Sequence, residues 1–253
     1  MTEFTPISAV VLELITFIII FFITILLTNR YRKKRADGSL TAKDPLTLLT
    51  ITLWFQSLGS FSSSLGRTIN FLLYEEYKND PRSLSHPTTI LGYIFVCLAC
   101  FFFYWFSSKV FMREKQIFFK IFGSLYIISA ILLFFHLITD PFETIPDALP
   151  VSWHYFQYLF VISVLIGFLI IFVIAFRVAN TNTELLLRRG MQILALYPLT
   201  IILSFLFLAL ELLLLQEVYT ILYHIAWILL ILSSIFAYIG FTMPQWFKKR
   251  YSV

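Results

Sequence analysis

Seven apolar runs, each about twenty residues or longer, occupy nearly all of the chain between Pro6 and Met243, with only short polar segments between them. At about 1.5 Å per residue in a helix, each run is long enough to cross a hydrocarbon core of about 30 Å. The runs cover roughly residues 6–28, 45–74, 88–111, 117–139, 151–179, 191–215 and 218–243. With 59% apolar and 13% charged residues, and a mean hydropathy of +0.86, a water-soluble fold would have too little polar surface to face water. This excludes a soluble enzyme, a disulfide-stapled secreted scaffold and a disordered tail. The expected fold class is all-α: a polytopic integral membrane protein of the cell membrane, with residues 1–253 forming one seven-helix transmembrane domain. The first run has no basic segment before it and no small-residue cleavage site. A basic cluster follows it instead, which predicts a retained first helix.

Basic residues set the expected orientation. Sixteen of the nineteen lysines and arginines lie in the segments after runs 1, 3, 5 and 7, for example Arg30–Arg35 and Lys248–Arg250. The opposite side keeps only Lys78 and Arg82, and acids such as Glu75, Glu76, Asp140, Glu143 and Glu217 gather there. The expectation is an outer N-terminus and a cytoplasmic C-terminus. In this pattern the net charge of +5 reports topology and contact with the bilayer, not nucleic acid. The longest outer connections, 75–87 and 140–150, are too short to fold as separate domains.

The second run is unusual for a membrane span. Gln56, Ser60, Ser63, Arg67 and Asn70 recur at steps of three or four and share one helical face, and Gly59, Gly66, Ser57, Ser62 and Ser64 make the same helix small. Two readings are open, close helix packing through small residues or a face lining a hydrated cavity. Arg67 lies too deep to snorkel easily, and an unpaired arginine at mid-membrane costs roughly 2.5–3.5 kcal/mol on insertion scales. The acids at similar depth are Glu13 in the first run and Glu211 in the sixth, so an Arg67–carboxylate pair in the outer half is expected.

All four histidines, His86, His136, His154 and His224, fall on the outer side. Glu211 and His224 flank the turn around Gln216 and are expected as neighbours across a hairpin. Their imidazole and carboxylate are open to a pH-responsive site, a metal site or an ordinary interfacial role. No HxxxH, HExxH or CxxC–His spacing occurs on one helix, so no metal ligand set is assigned. Cys97 and Cys100 form a CxxC by letter only and are expected to pack as small apolar residues. Trp153, Tyr155 and Tyr158 read as an interfacial aromatic belt or a ligand cage, and Pro198 as a kink in the sixth helix. No GxSxG or other catalytic constellation is present, so no catalytic residues are assigned. The candidate ligand-binding set is Glu13, Arg67, Asn70, Glu211 and His224, with Tyr223 beside His224 and Trp227 one turn on.

Helix number, length and orientation are shared with microbial rhodopsins, but those need a lysine deep in the last helix. None precedes Lys248 here, which excludes a retinal Schiff base and leaves no cofactor expected. Sugar transporters of the SWEET type share the topology but not a recognisable proline-centred repeat. The segment Ala237-Tyr238-Ile239-Gly240-Phe241-Thr242-Met243-Pro244-Gln245-Trp246-Phe247-Lys248-Lys249-Arg250 resembles the end of the seven-helix input modules that precede histidine-kinase or cyclase domains in prokaryotic sensors. That resemblance implies a sensor- or receptor-like module with a cytoplasmic signalling partner, answering to a small molecule or proton in the outer-half pocket. The alternatives are a small-solute transporter using the polar face of the second helix and, third, an intramembrane metal-dependent hydrolase using the outer histidines.

Overall fold

The computed structural model describes residues 7–38, 44–73, 85–111, 116–139, 153–211 and 219–251. Among them are eight helices and no strand: α1 (Ile7–Ala36), α2 (Pro45–Leu72), α3 (Ser85–Val110), α4 (Gln116–Thr139), α5 (Trp153–Thr181), α6 (Leu185–Leu210), α7 (Ile221–Thr242) and α8 (Gln245–Tyr251). Among the described residues, six helices are long and apolar enough to cross a membrane, namely α1, α3, α4, α5, α6 and α7. The protein is thus a multi-pass membrane protein. At 28 residues α2 is long enough as well, but its serines, threonines, Gln56, Arg67 and Asn70 take it below the apolarity of the others. The connections 75–84 and 140–150 lie outside the described residues.

Local chemistry fixes the helix ends. Asp44 caps α2, its carboxylate accepting the Leu46 N–H at 2.8 Å with Pro45 at the first helical position. Thr220 caps α7 in the same way through Leu222 N–H at 3.2 Å. Met243, with φ 45°, ends α7 in the left-handed conformation, and Pro244 follows. α1 continues past its apolar run through the basic cluster to Ala36, since lysine and arginine are good helix formers and nothing there breaks the ladder.

From α1 to α7 each helix packs on its neighbour in sequence, and α1 also packs on α7, which closes the bundle into a ring. The polarity is inverted relative to a soluble protein: Ile18, Phe22, Phe135 and Ile138 are exposed, whereas Glu13, Gln56, Ser204, Glu211 and Ser233 are buried. That arrangement suits a hydrocarbon solvent, in which interior polar groups satisfy one another and the outer face is apolar. Many buried hydroxyls, including Thr16, Thr24, Thr50, Thr52 and Thr200, donate to the carbonyl one turn back in their own helix.

The half of the bundle at the C-terminal ends of α1 and α7, the inner half on the expected orientation, is filled. Leu46, Leu49 and Leu53 of α2 are fully buried together with Phe103 and Phe106 of α3. The Phe103 ring lies 5.4 Å from Phe168 of α5 and 4.2 Å from Tyr197 of α6, and Phe106 lies 5.8 Å from Phe241 of α7. Arg30 of α1 donates to the Thr242 carbonyl at the end of α7 at 2.8 Å, where a cation also complements the helix dipole.

α6 and α7 approach closely at Gly190 and Gly240. A methyl group on Gly240 would stand 2.5 Å from the Leu194 nitrogen and 2.9 Å from the Gly190 oxygen, both backbone atoms that cannot turn aside. At the α2–α3 crossing a methyl on Gly92 would meet the Gly59 oxygen at 3.3 Å, a looser fit. Gly240→Ala is therefore expected to lose about 1–3 kcal/mol by overpacking, and Gly92→Ala distinctly less. Thermal midpoints of the two variants in one detergent check the order.

Candidate functional site

Between the N-terminal ends of α1 and α7 and the C-terminal end of α6, the outer ends on the expected orientation, lies a cavity of about 200 Å³, lined by residues of α1, α2, α3, α5, α6 and α7, Glu211 at the end of α6 among them. Four of the five polar residues expected on one face of α2, namely Gln56, Ser60, Ser63 and Arg67, line it. From Gln56 to Arg67 the helix climbs three turns, about 16 Å at 1.5 Å per residue. The same helix buries Ser57, Ser62, Ser64 and Gly66 away from the cavity, so α2 combines a packing face with a cavity face.

Glu13 is the centre of the polar upper wall. It projects from the second turn of the apolar helix α1 and is 0% exposed. One oxygen accepts from the Tyr223 hydroxyl of α7 and stands 3.6 Å from Arg67 Nε, and the other accepts from Ser63 Oγ at 3.0 Å. Of the two carboxylates expected beside Arg67, Glu13 is the one in ion-pair range. Arg67 also turns outward: its Nη1 donates to the Tyr219 hydroxyl at 2.5 Å, and its guanidinium carbon lies 5.2 Å from that ring's centre. Tyr219 reaches this position with φ 67°, a left-handed conformation that brings its ring edge-on to Tyr223, 5.2 Å away.

Glu211 is 2% exposed and closes the same wall from the end of α6. One oxygen accepts the Thr220 backbone N–H at 2.6 Å. His224 does not bond to Glu211. Its Nδ1 lies 2.8 Å from the Thr220 carbonyl and its Nε2 3.2 Å from Ser8 Oγ, so both side chains converge on Thr220 from opposite sides of one residue.

The floor is of a different character. Gln56 donates to Ser233 Oγ at 3.3 Å and accepts from the Tyr197 hydroxyl at 3.2 Å, which uses both ends of its amide. Around it Val96, Cys100, Phe168, Ile201, Phe205 and Leu230 are apolar. Cys97 and Cys100 are both free, buried thiols.

Of the residues expected at the site, Glu13, Arg67, Glu211, Tyr223 and Trp227 line the cavity, whereas Asn70 and His224 do not. Asn70 is buried one turn above Arg67, and His224 faces the start of α1. His136 is buried near the end of α4, away from the lining. The side chains of His86, Trp153, His154, Tyr155 and Tyr158 lie outside the described part of the structure. Among the described residues no three metal-ligating side chains cluster. Sequence reasoning missed Tyr219, Tyr197 and Ser233. For the latter two, a hydroxyl within an apolar run was the available signal.

No protein-family model matches the chain, and no curated protein or solved structure matches it either.

The Arg67 side chain is 24% exposed and the Glu13 side chain 0%, so removing the cation strands the more buried partner. Arg67→Met is expected to destabilise the protein by about 3 kcal/mol, the low end of the range for one partner of a buried pair. A thermal midpoint in detergent equal to that of the wild type would show that the pair contributes nothing.

Proposed function

We propose that the protein is a seven-span sensor- or receptor-like membrane module, with its N-terminus outside and C-terminus in the cytoplasm, which binds a small ligand in the outer-half cavity. α2 is the seventh span in this reading: its polar face is turned to the cavity, so that its apolar residues, such as Leu58, Phe61 and Leu65, meet lipid. The distribution of basic residues supports the orientation.

The observation that carries the reading is the contrast between the two halves. A cavity with carboxylate, guanidinium, phenol and hydroxyl groups stands above an inner half packed with leucine and phenylalanine. Gln56, Tyr197 and Ser233 tie α2, α6 and α7 together at the boundary. A transporter of this size needs a polar path below Gln56, and Leu53, Leu49 and Leu46 occupy that path. A volume of about 200 Å³ suits an organic molecule better than a bare proton. α6 and α7 contribute much of the lining and meet again at Gly190 and Gly240, so a ligand that favours one arrangement of the pair changes the basic inner surface that a cytoplasmic partner meets.

Single cysteines introduced into a chain lacking Cys97 and Cys100 test this directly. A membrane-impermeant thiol reagent is expected to reach Ser63→Cys from outside only, and Leu53→Cys from neither side. Reaction of Leu53→Cys from the cytoplasmic side would favour the transporter, and reaction of Ser63→Cys from that side would reverse the orientation.

A further inference from the structure

Among the described residues that line the cavity the charges do not balance: Glu13 and Glu211 stand against Arg67. Arg67 is engaged with Glu13 at 3.6 Å and with Tyr219 at 2.5 Å. Among the described residues no ion pair reaches Glu211. One of its oxygens holds the Thr220 N–H at 2.6 Å, where the positive end of α7 offsets part of a negative charge. The other oxygen takes no hydrogen bond among the described residues, although the side chain is 2% exposed. A carboxylate buried in this way is stabilised by a cation brought to it.

The surroundings specify what kind of cation. Tyr223 and Trp227 line the cavity, and their rings offer the aromatic faces that attract ammonium groups. Trp227 is 8% exposed and its indole N–H has no hydrogen-bond partner among the described residues. Below them Phe168, Ile201 and Phe205 belong to an apolar floor that a hydrated metal ion or a polar solute would not fill favourably. A volume of about 200 Å³ is somewhat larger than the roughly 150 Å³ apolar cavity that accommodates benzene. One ring with a short arm fits it.

Resting on the reading of this cavity as a ligand site, we propose that it binds a small organic monocation: a protonated amine carried on a single-ring apolar body, the ammonium group at Glu211 and the ring on the Phe168–Phe205 floor. Glu211 supplies charge selectivity and the floor supplies shape selectivity.

Three ring-matched probes, 2-phenylethylamine, 2-phenylethanol and phenylacetate, titrated calorimetrically into the full chain in nanodiscs at neutral pH, separate the contributions. The amine is expected to bind, the alcohol at least tenfold more weakly, and the acid not at all. Glu211→Gln keeps an acceptor for the Thr220 N–H. It is expected to weaken the amine at least tenfold while leaving the alcohol unchanged. Equal affinities for amine and alcohol, or tighter binding of the acid, would overturn the cation assignment while leaving the cavity as a ligand site. Amine binding that survives Glu211→Gln intact would overturn Glu211 as its seat. Should that variant fail to fold, the order of the three probes on the wild-type chain decides alone. Absence of binding by all three would overturn the single-ring cation, and accessibility at Ser63→Cys then decides separately whether the cavity is open to ligands.

Discussion

A single carboxylate, Glu13, sets the geometry of the half of the bundle that holds the cavity. It sits within the apolar helix α1, where a charged group facing lipid costs several kcal/mol and is tolerated only when turned to the bundle interior. That cost fixes the rotation of α1 about its own axis, which an otherwise almost uniformly apolar surface would leave poorly determined. Once turned inward, Glu13 holds Ser63 and Arg67 of α2 on one side and Tyr223 of α7 on the other. The ring of helices is therefore closed by polar bonds at its cavity end and by Arg30 on the Thr242 carbonyl at the opposite end.

The middle of the bundle follows from where polarity stops. Above Gln56 the helices are held apart by polar side chains that bond across a space, and below it they interlock through leucine and phenylalanine. Dispersion and close packing hold the inner half, where no hydrophobic driving force between spans exists in lipid. The glycine contact of α6 and α7 is one of its close contacts. Pro198 stands in α6 beside Tyr197, where the cavity lining of that helix begins, at a position where the backbone ladder lacks one donor. On the proposed function, the two helices that carry the ligand's polar contacts are also the pair whose inner ends cannot separate independently.

Much of this was legible in the residue pattern, and the reasons differ by element. The apolar runs identify the helices because a bilayer imposes both length and composition, and six of the described helices, α1 and α3 to α7, are long and apolar enough to cross a membrane on those runs. The face Gln56, Ser60, Ser63, Arg67 is readable because polar residues at helical spacing have no reason to face lipid, and those four line the cavity. Asn70 obeys the same spacing yet lies outside the lining, since a periodic pattern says which face is inward and not where a cavity ends. Counting from the hairpin puts Glu211 and His224 at similar depth. Their side chains nevertheless meet the backbone of Thr220 and not each other. Tyr219 was invisible because its role depends on a left-handed backbone at the start of α7 that no local sequence signal announces. The apolar floor was hidden for a simpler reason, as Phe168, Ile201 and Phe205 look the same in sequence as the many residues that face lipid.

The dependence of the bundle on Glu13 is tested most directly by a double-mutant cycle between Glu13→Leu and Tyr223→Phe, with unfolding free energies measured in one detergent. A hydrogen bond from a phenol to a buried carboxylate is expected to give a coupling of about 1.5–3 kcal/mol, in the range for bonds to charged groups. Because the cycle subtracts the loss of the other Glu13 contacts, it isolates the link between α1 and α7. Additive effects of the two substitutions would contradict the account, leaving α1 held to α7 by apolar packing alone.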